Sequence, residues 1–164
     1  MNNSHASTRD GLVLAADDGP AFWFLDTLTL TKVSGGDTGG GFTVLDHRCP
    51  PGFAPPPHIH RDCDEAFFIL EGQFDGFCGE RLWNAGPGTL VFLPRGVPHG
   101  FRVSELGRGR TLLILGPAGF DAFVADVGEP AERLVLPEPA RPDPARVAEL
   151  AAAHGIELLP PQAG

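Results

Sequence analysis

The sequence has no tyrosine, so no phenol can serve as acid, base or ligand in whatever chemistry it performs. It has no apolar stretch approaching the ~20 residues needed to span a bilayer, so no membrane partner is expected. Residues 1–18 hold neither a basic cluster nor an apolar run of signal-peptide length, which predicts a cytoplasmic protein. Cysteine is scarce and odd in number: Cys49, Cys63 and Cys78, with no C-x-x-C spacing. That excludes a disulfide framework and a structural zinc knuckle, and fits reduced thiols. There is no internal repeat and no charge run. Basic residues are few, 12 Lys plus Arg against 21 Asp plus Glu, for a net charge of −9. A surface that acidic repels phosphate backbones, so no nucleic-acid partner is expected.

What is present suits one domain. The 164 residues are 42% hydrophobic, enough for a packed interior. The 22 glycines and 17 prolines punctuate short apolar runs instead of forming tracts, a pattern of tight turns between strands. Residues 1–19 read as a flexible polar arm. Thr27 to Thr31 alternates threonine with Leu28 and Leu30, the period of a half-buried strand. Cys49 to Pro57 is too rich in proline for helix. Ala66–Leu70, Thr89–Leu93 and Thr111–Leu115 have strand length, and Phe77–Leu82 reads as a hairpin turning at Gly79. The body from residue 20 to 116 is therefore all-β, a sandwich, jelly roll or barrel.

From residue 117 to 164 the texture becomes helical. Phe120, Phe123, Val124 and Val127 fall at i, i+3, i+4 and i+7, with Gly128 as the stop. Asp143-Pro144 opens a second helix with the apolar stripe Val147, Leu150 and Ala151, and Gly155 closes it. Two helices after a β-body predict lids or braces packed outside it, not a second domain.

The histidines carry the chemistry. His58 and His60 stand two apart, so a strand presents both imidazoles on one face. Glu65 is five residues beyond His60, an odd step that an unbroken strand would turn away. Residues 61–64 must therefore bend or bulge for Glu65 to join the pair. His99 must arrive from a neighbouring strand. Three imidazoles and one carboxylate make a mixed N/O set. It suits one divalent transition-metal ion (Mn, Fe, Co, Ni, Cu or Zn) with positions left open for water or substrate. His5, His47 and His154 fall outside this pattern and are read as non-ligands, and Cys63 as a half-buried spectator.

The spacing Gly52-x5-His58-x-His60-x4-Glu65-x6-Gly72 fits the first motif of the cupin superfamily at every fixed position. Gly88-x5-Pro94-x-Gly96-x2-His99 fits the second, except that Val103 stands where the family has asparagine. The chain thus resembles a cupin, which implies a jelly-roll β-barrel with His58, His60, Glu65 and His99 as metal ligands. Gly52, Gly72, Gly88 and Gly96 are expected at turns with positive φ. Strand parity adds Phe67 and Ile69 to the face of Glu65, and Phe101 and Val103 to that of His99. Ile69 is read as plain core, and Phe67, Phe101 and Val103 as the substrate-facing wall, apolar enough for a small aromatic ligand. The entry segment Gly19–Phe24, the His-x-His-x4-Glu core and the tail His154–Pro161 resemble bacterial single-domain cupins of the quercetin 2,3-dioxygenase kind. That resemblance implies ring-opening of a flavonol-like or other aromatic enol with O2, Glu65 also acting as the base. A metal-dependent isomerase, cyclase or lyase, or a non-catalytic small-molecule-binding cupin, is the alternative, because the barrel hosts many chemistries. The resemblance also implies a homodimer, since cupin barrels commonly pair through sheet edges that would otherwise be exposed.

Overall fold

The fold is that of a computed structural model, which describes residues 11–140 and 142–160. The first ten residues of the expected arm, including His5, and positions 141 and 161–164 of the tail lie outside the described residues. The strands are β1 (Ala21–Phe24), β2 (Thr27–Val33), β3 (Thr43–Cys49), β4 (His58–His60), β5 (Asp64–Glu71), β6 (Phe74–Cys78), β7 (Arg81–Ala85), β8 (Leu90–Leu93), β9 (His99–Val103), β10 (Gly109–Gly116), β11 (Glu129–Pro130) and β12 (Ile156–Leu158). The helices are α1 (Phe120–Val127) and α2 (Pro144–Ala153). No helix among the described residues is long and apolar enough to cross a membrane.

Two antiparallel sheets face each other, in the order β11-β1-β2-β3-β10-β5-β8 and β12-β4-β9-β6-β7. This is a jelly roll, as the strand and turn pattern predicts. Side chains of alternate residues meet between the sheets, where Leu45, Phe67, Leu93, Leu113 and Leu115 form one cluster with Phe24, Phe123, Val124, Ala151 and Ile156. A second cluster of Cys49, Ile69, Phe74, Ala85 and Val103 fills the end of the barrel away from the histidines. Turn chemistry agrees with the sequence. Gly79 and Glu80 make the two-residue turn between β6 and β7, and Gly52, Gly72, Gly88 and Gly96 all have positive φ. At Gly72 a Cβ would lie 2.3 Å from the Arg108 carbonyl oxygen, so close approach as well as φ demands glycine.

β2 departs from expectation. Its period is two, but neither face is open: Thr27 through Thr31 are all buried. Register puts Thr29 beside His47 and Thr31 beside Leu45, on the interior face. Leu28 and Leu30 point outward, beside Arg48 and Asp46, and are still buried. Residues 15–18 cross that outer face, tied down by Lys32 to the carbonyls of Ala15, Ala16 and Asp18 and by Arg48 to Ala16 and Asp17. The described part of the arm is thus pinned, although its side chains are exposed.

The tail also differs in detail. Both expected helices form, with Asp143 accepting from the Ala145 N–H at 3.0 Å as N-cap of α2. The chain then adds β12, which pairs with β4, and β11 pairs with β1. Both are short strands whose partners lie far away in sequence, so neither carries a period long enough to read.

Candidate metal centre

β4 and β5 are consecutive in the chain but lie in opposite sheets. The bend at residues 61–63 is therefore a crossing from one wall of the barrel to the other, not a bulge within one strand. The parity problem at Glu65 disappears, because its carboxylate reaches the histidines from across the interior. His99 arrives by direct pairing, since β9 lies beside β4 with His58 opposite His99.

Ligand-type atoms of His58, His60, Glu65 and His99 all lie within 4.8 Å of one another. Ring centroids of His58 stand 5.0 Å from His60 and 4.5 Å from His99. Glu65 Oε2 is 3.3 Å from Nε2 of both His60 and His99. None of these three buried atoms meets a partner at hydrogen-bond angles. Buried polar atoms are normally matched, and three unmatched ones converging on a point form a donor set that could hold a cation. The other ring nitrogens support this. His58 Nδ1 donates to the Pro56 carbonyl at 2.8 Å, and His99 Nδ1 to the Val97 carbonyl at 3.0 Å. Each bond fixes the tautomer and leaves the Nε2 lone pair facing inward, the outer-shell arrangement of ligating histidines.

The electrostatics are those of a tight acid–base cluster. Burial alone would raise the Glu65 carboxyl, but the surrounding imidazoles, His60 above all, hold it below the usual carboxylate range. Burial alone would lower His60, and the Glu65 carboxylate outweighs it, pushing the ring up to about 10. For His58 burial wins over the pull of Glu65 and takes the ring down to about 4. Cys63 is half-buried. His47 and His154 lie outside the cluster.

A cavity of about 750 Å³ opens onto the cluster through His58 and Glu65, with His60 and His99 behind them. Its wall is largely apolar: Phe24 from β1, Phe53 from the proline-rich loop, Phe101 from β9, Leu113 from β10, and Phe120 and Phe123 from α1. The tail adds Pro144 and Val147 of α2 and Ile156 and Leu158 of β12 to the lining. Of the three residues expected to face substrate, Phe101 lines this cavity. Phe67 and Val103 do not: they are core, 1% and 0% exposed. Parity places them on the interior face, but that face is longer than the cavity. Phe67 lies beneath Phe101, ring centroids 5.1 Å apart, and Val103 pairs with Phe74 at the filled end. Apart from Phe53, which stands at an unspecified position of the first motif, the aromatic wall residues that sequence reasoning missed come from outside the two motifs. The Phe120/Phe123 stripe was legible as an apolar helix face, but not as a cavity wall.

Residues 46–115 match the protein family described as Cupin domain. This stretch of the chain is a cupin domain. Quercetin 2,3-dioxygenase of Bacillus subtilis (strain 168) is 26% identical over 125 residues, covering 76% of this chain. The chain spans only 37% of that relative's length. Among solved structures, a polyketide cyclase of Streptomyces resistomycificus superposes with a TM-score of 0.56 at 22% identity, covering 78% of this chain and 88% of the other. A predicted oxalate decarboxylase of Thermotoga maritima gives 0.57 at 15% identity, covering 65% and 98%. These two likenesses show the fold. The chain has two facing sheets around a His/His/Glu/His cluster that could hold a metal ion.

Proposed function

We propose that this cupin is a metal-dependent dioxygenase that opens a flavonol-like or other aromatic enol with O2. The observation that carries the reading is the apolar cavity of about 750 Å³ whose wall includes two members, His58 and Glu65, of a buried three-histidine, one-carboxylate cluster. His58, His60, Glu65 and His99 would hold one divalent transition-metal ion (Mn, Fe, Co, Ni, Cu or Zn). Such an ion supplies Lewis-acid chemistry, lowering the pKa of a hydroxyl that it binds and orienting it.

The chain's own residues do the rest. Glu65 accepts the proton of the enol hydroxyl, because it is the one carboxylate of the cluster and forms part of the cavity wall. Phe53, Phe101, Phe120 and Phe123 hold a planar ring and keep water from the enolate. The tail segments at the mouth complete that enclosure. The relatedness to a quercetin 2,3-dioxygenase supports the substrate class.

The test is an oxygen-electrode screen of flavonols with protein loaded with one metal at a time. Oxygen uptake with quercetin, absent under anaerobic conditions as product formation, is the expected result. Equal turnover with and without O2 would instead make the cluster the Lewis acid of an isomerase, cyclase or lyase. Tight binding with release of the ligand unchanged would make the protein a binding cupin.

A further inference from the structure

The interior face of the large sheet carries one polar row. Register places Thr29, His47 and Thr111 side by side on β2, β3 and β10, and all three are buried. His47 is 5% exposed. Neither of its ring nitrogens, nor Thr111 Oγ1, has a hydrogen-bond partner among the described residues. Leaving such groups unmatched costs stability, so packing alone would favour an apolar side chain at this position. Yet the His47 ring forms part of the cavity wall, on a different strand from any member of the metal cluster. Burial takes its pKa down to about 4 against the opposing pull of Glu65 and Asp46. The ring is therefore neutral near pH 7 and offers one donor and one acceptor. Phe53 and Phe101 stand edge-on to it, with ring centroids at 5.9 and 6.5 Å. Phe53 sits on the loop between β3 and β4 and is only half-buried, and it lines the same cavity as His47.

We propose that His47 is a second polar anchor of the cavity, hydrogen-bonding a hydroxyl or carbonyl oxygen of an aromatic ligand whose chelating oxygens lie at His58 and Glu65. This rests on reading the cavity as an aromatic-substrate site, and it narrows the ligand class. The ligand carries an oxygen substituent besides its chelating pair. A ligand without that further oxygen would leave His47 unmatched, and a site built to hydrogen-bond a hydroxyl rejects analogues that lack it.

Two flavonols test this on metal-loaded protein. Quercetin bears hydroxyls on both outer rings; 3-hydroxyflavone keeps only the chelating pair. The wild type should bind quercetin at least about tenfold more tightly, the discrimination a buried hydrogen bond supports. His47→Leu should abolish that preference by weakening quercetin while leaving 3-hydroxyflavone unchanged, and it should melt no lower than the wild type. His47→Gln, which keeps a donor and an acceptor, should restore part of the preference. An unchanged preference in His47→Leu, an equal loss for both flavonols, or no preference in the wild type overturns the anchor. Oxygen uptake is read separately. A His47-dependent preference without uptake keeps the anchor and removes the dioxygenase, and uptake without that dependence does the reverse. A wild type that binds neither flavonol overturns both.

Discussion

At the scale of single residues, position in the barrel decides role more than residue type does. His58 and His99 each spend one ring nitrogen on a backbone carbonyl and keep the other for the interior. Either one changed to Ala should strip most of the metal and leave the barrel folded. Elemental analysis beside circular dichroism checks this, and metal retained at the wild-type level would contradict it. Asp46 shows the opposite use of a buried charge. It is 1% exposed on the outward face of β3, bonded by Arg110 at 2.9 and 2.8 Å and by Arg48 at 2.9 Å. Burial alone would raise its carboxyl, but the two guanidiniums outweigh it and hold the group below its ordinary 3.8. A depressed carboxyl stabilises the fold above the unfolded-state pKa, and that share is lost as pH falls from there through the lower folded-state pKa. Urea midpoints should therefore drop between pH 5 and pH 3 in the wild type. Asp46→Asn should flatten that drop and cost about 3 kcal/mol at pH 7, because two guanidiniums lose their partner.

At the scale of elements, the tail acts on the cavity. α1 and α2 contact each other, and His154 Nε2 lies 2.7 Å from Asp126 Oδ2, linking the end of one helix to the other. The N-cap at Asp143 fixes the first turn of α2, where Pro144 and Val147 meet the cavity. Asp143→Ala removes one capped N–H and should cost about 1 kcal/mol. Its larger effect should be functional: ligand affinity weakens several-fold while metal content stays constant, as calorimetry and elemental analysis would show. Both helices were readable from caps and 3.6-residue spacing. The short strands β11 and β12 were not, because their hydrogen bonds go to β1 and β4, more than 90 residues away in the case of β12.

At the scale of the whole molecule, the expected homodimer has a face to use. Phe68, Leu70, Leu90, Phe92 and Ile114 are exposed, and register sets Phe68 beside Leu90 and Leu112, and Ala66 between Phe92 and Ile114. β8 is the last strand of its sheet, so its outer backbone groups have no strand partner among the described residues. An apolar outer face at an open edge is what a second copy of the same chain would cover in a two-fold pair. Light scattering should give a dimer near twice 17.3 kDa. Phe92→Glu should shift it to monomer with the metal site intact, and a wild-type monomer would reject the pairing.

The sequence by itself determined the β-body, the two tail helices, the turn glycines and the four residues of the cluster. The elements, the turn glycines and the His58/His60 pair depend on spacing along the chain, through strand parity, helical period and the φ that a turn requires, and Glu65 and His99 on the spacing of the two motifs. Only the tertiary structure decided that Glu65 faces the histidines from the opposite wall, and that Phe101 borders space while Phe67 and Val103 fill it. It alone brought His47 and the tail to the same cavity. Parity says which face a side chain takes. Whether that face meets another side chain or an opening depends on how far apart the two sheets stand and what caps them, and no local pattern encodes that distance.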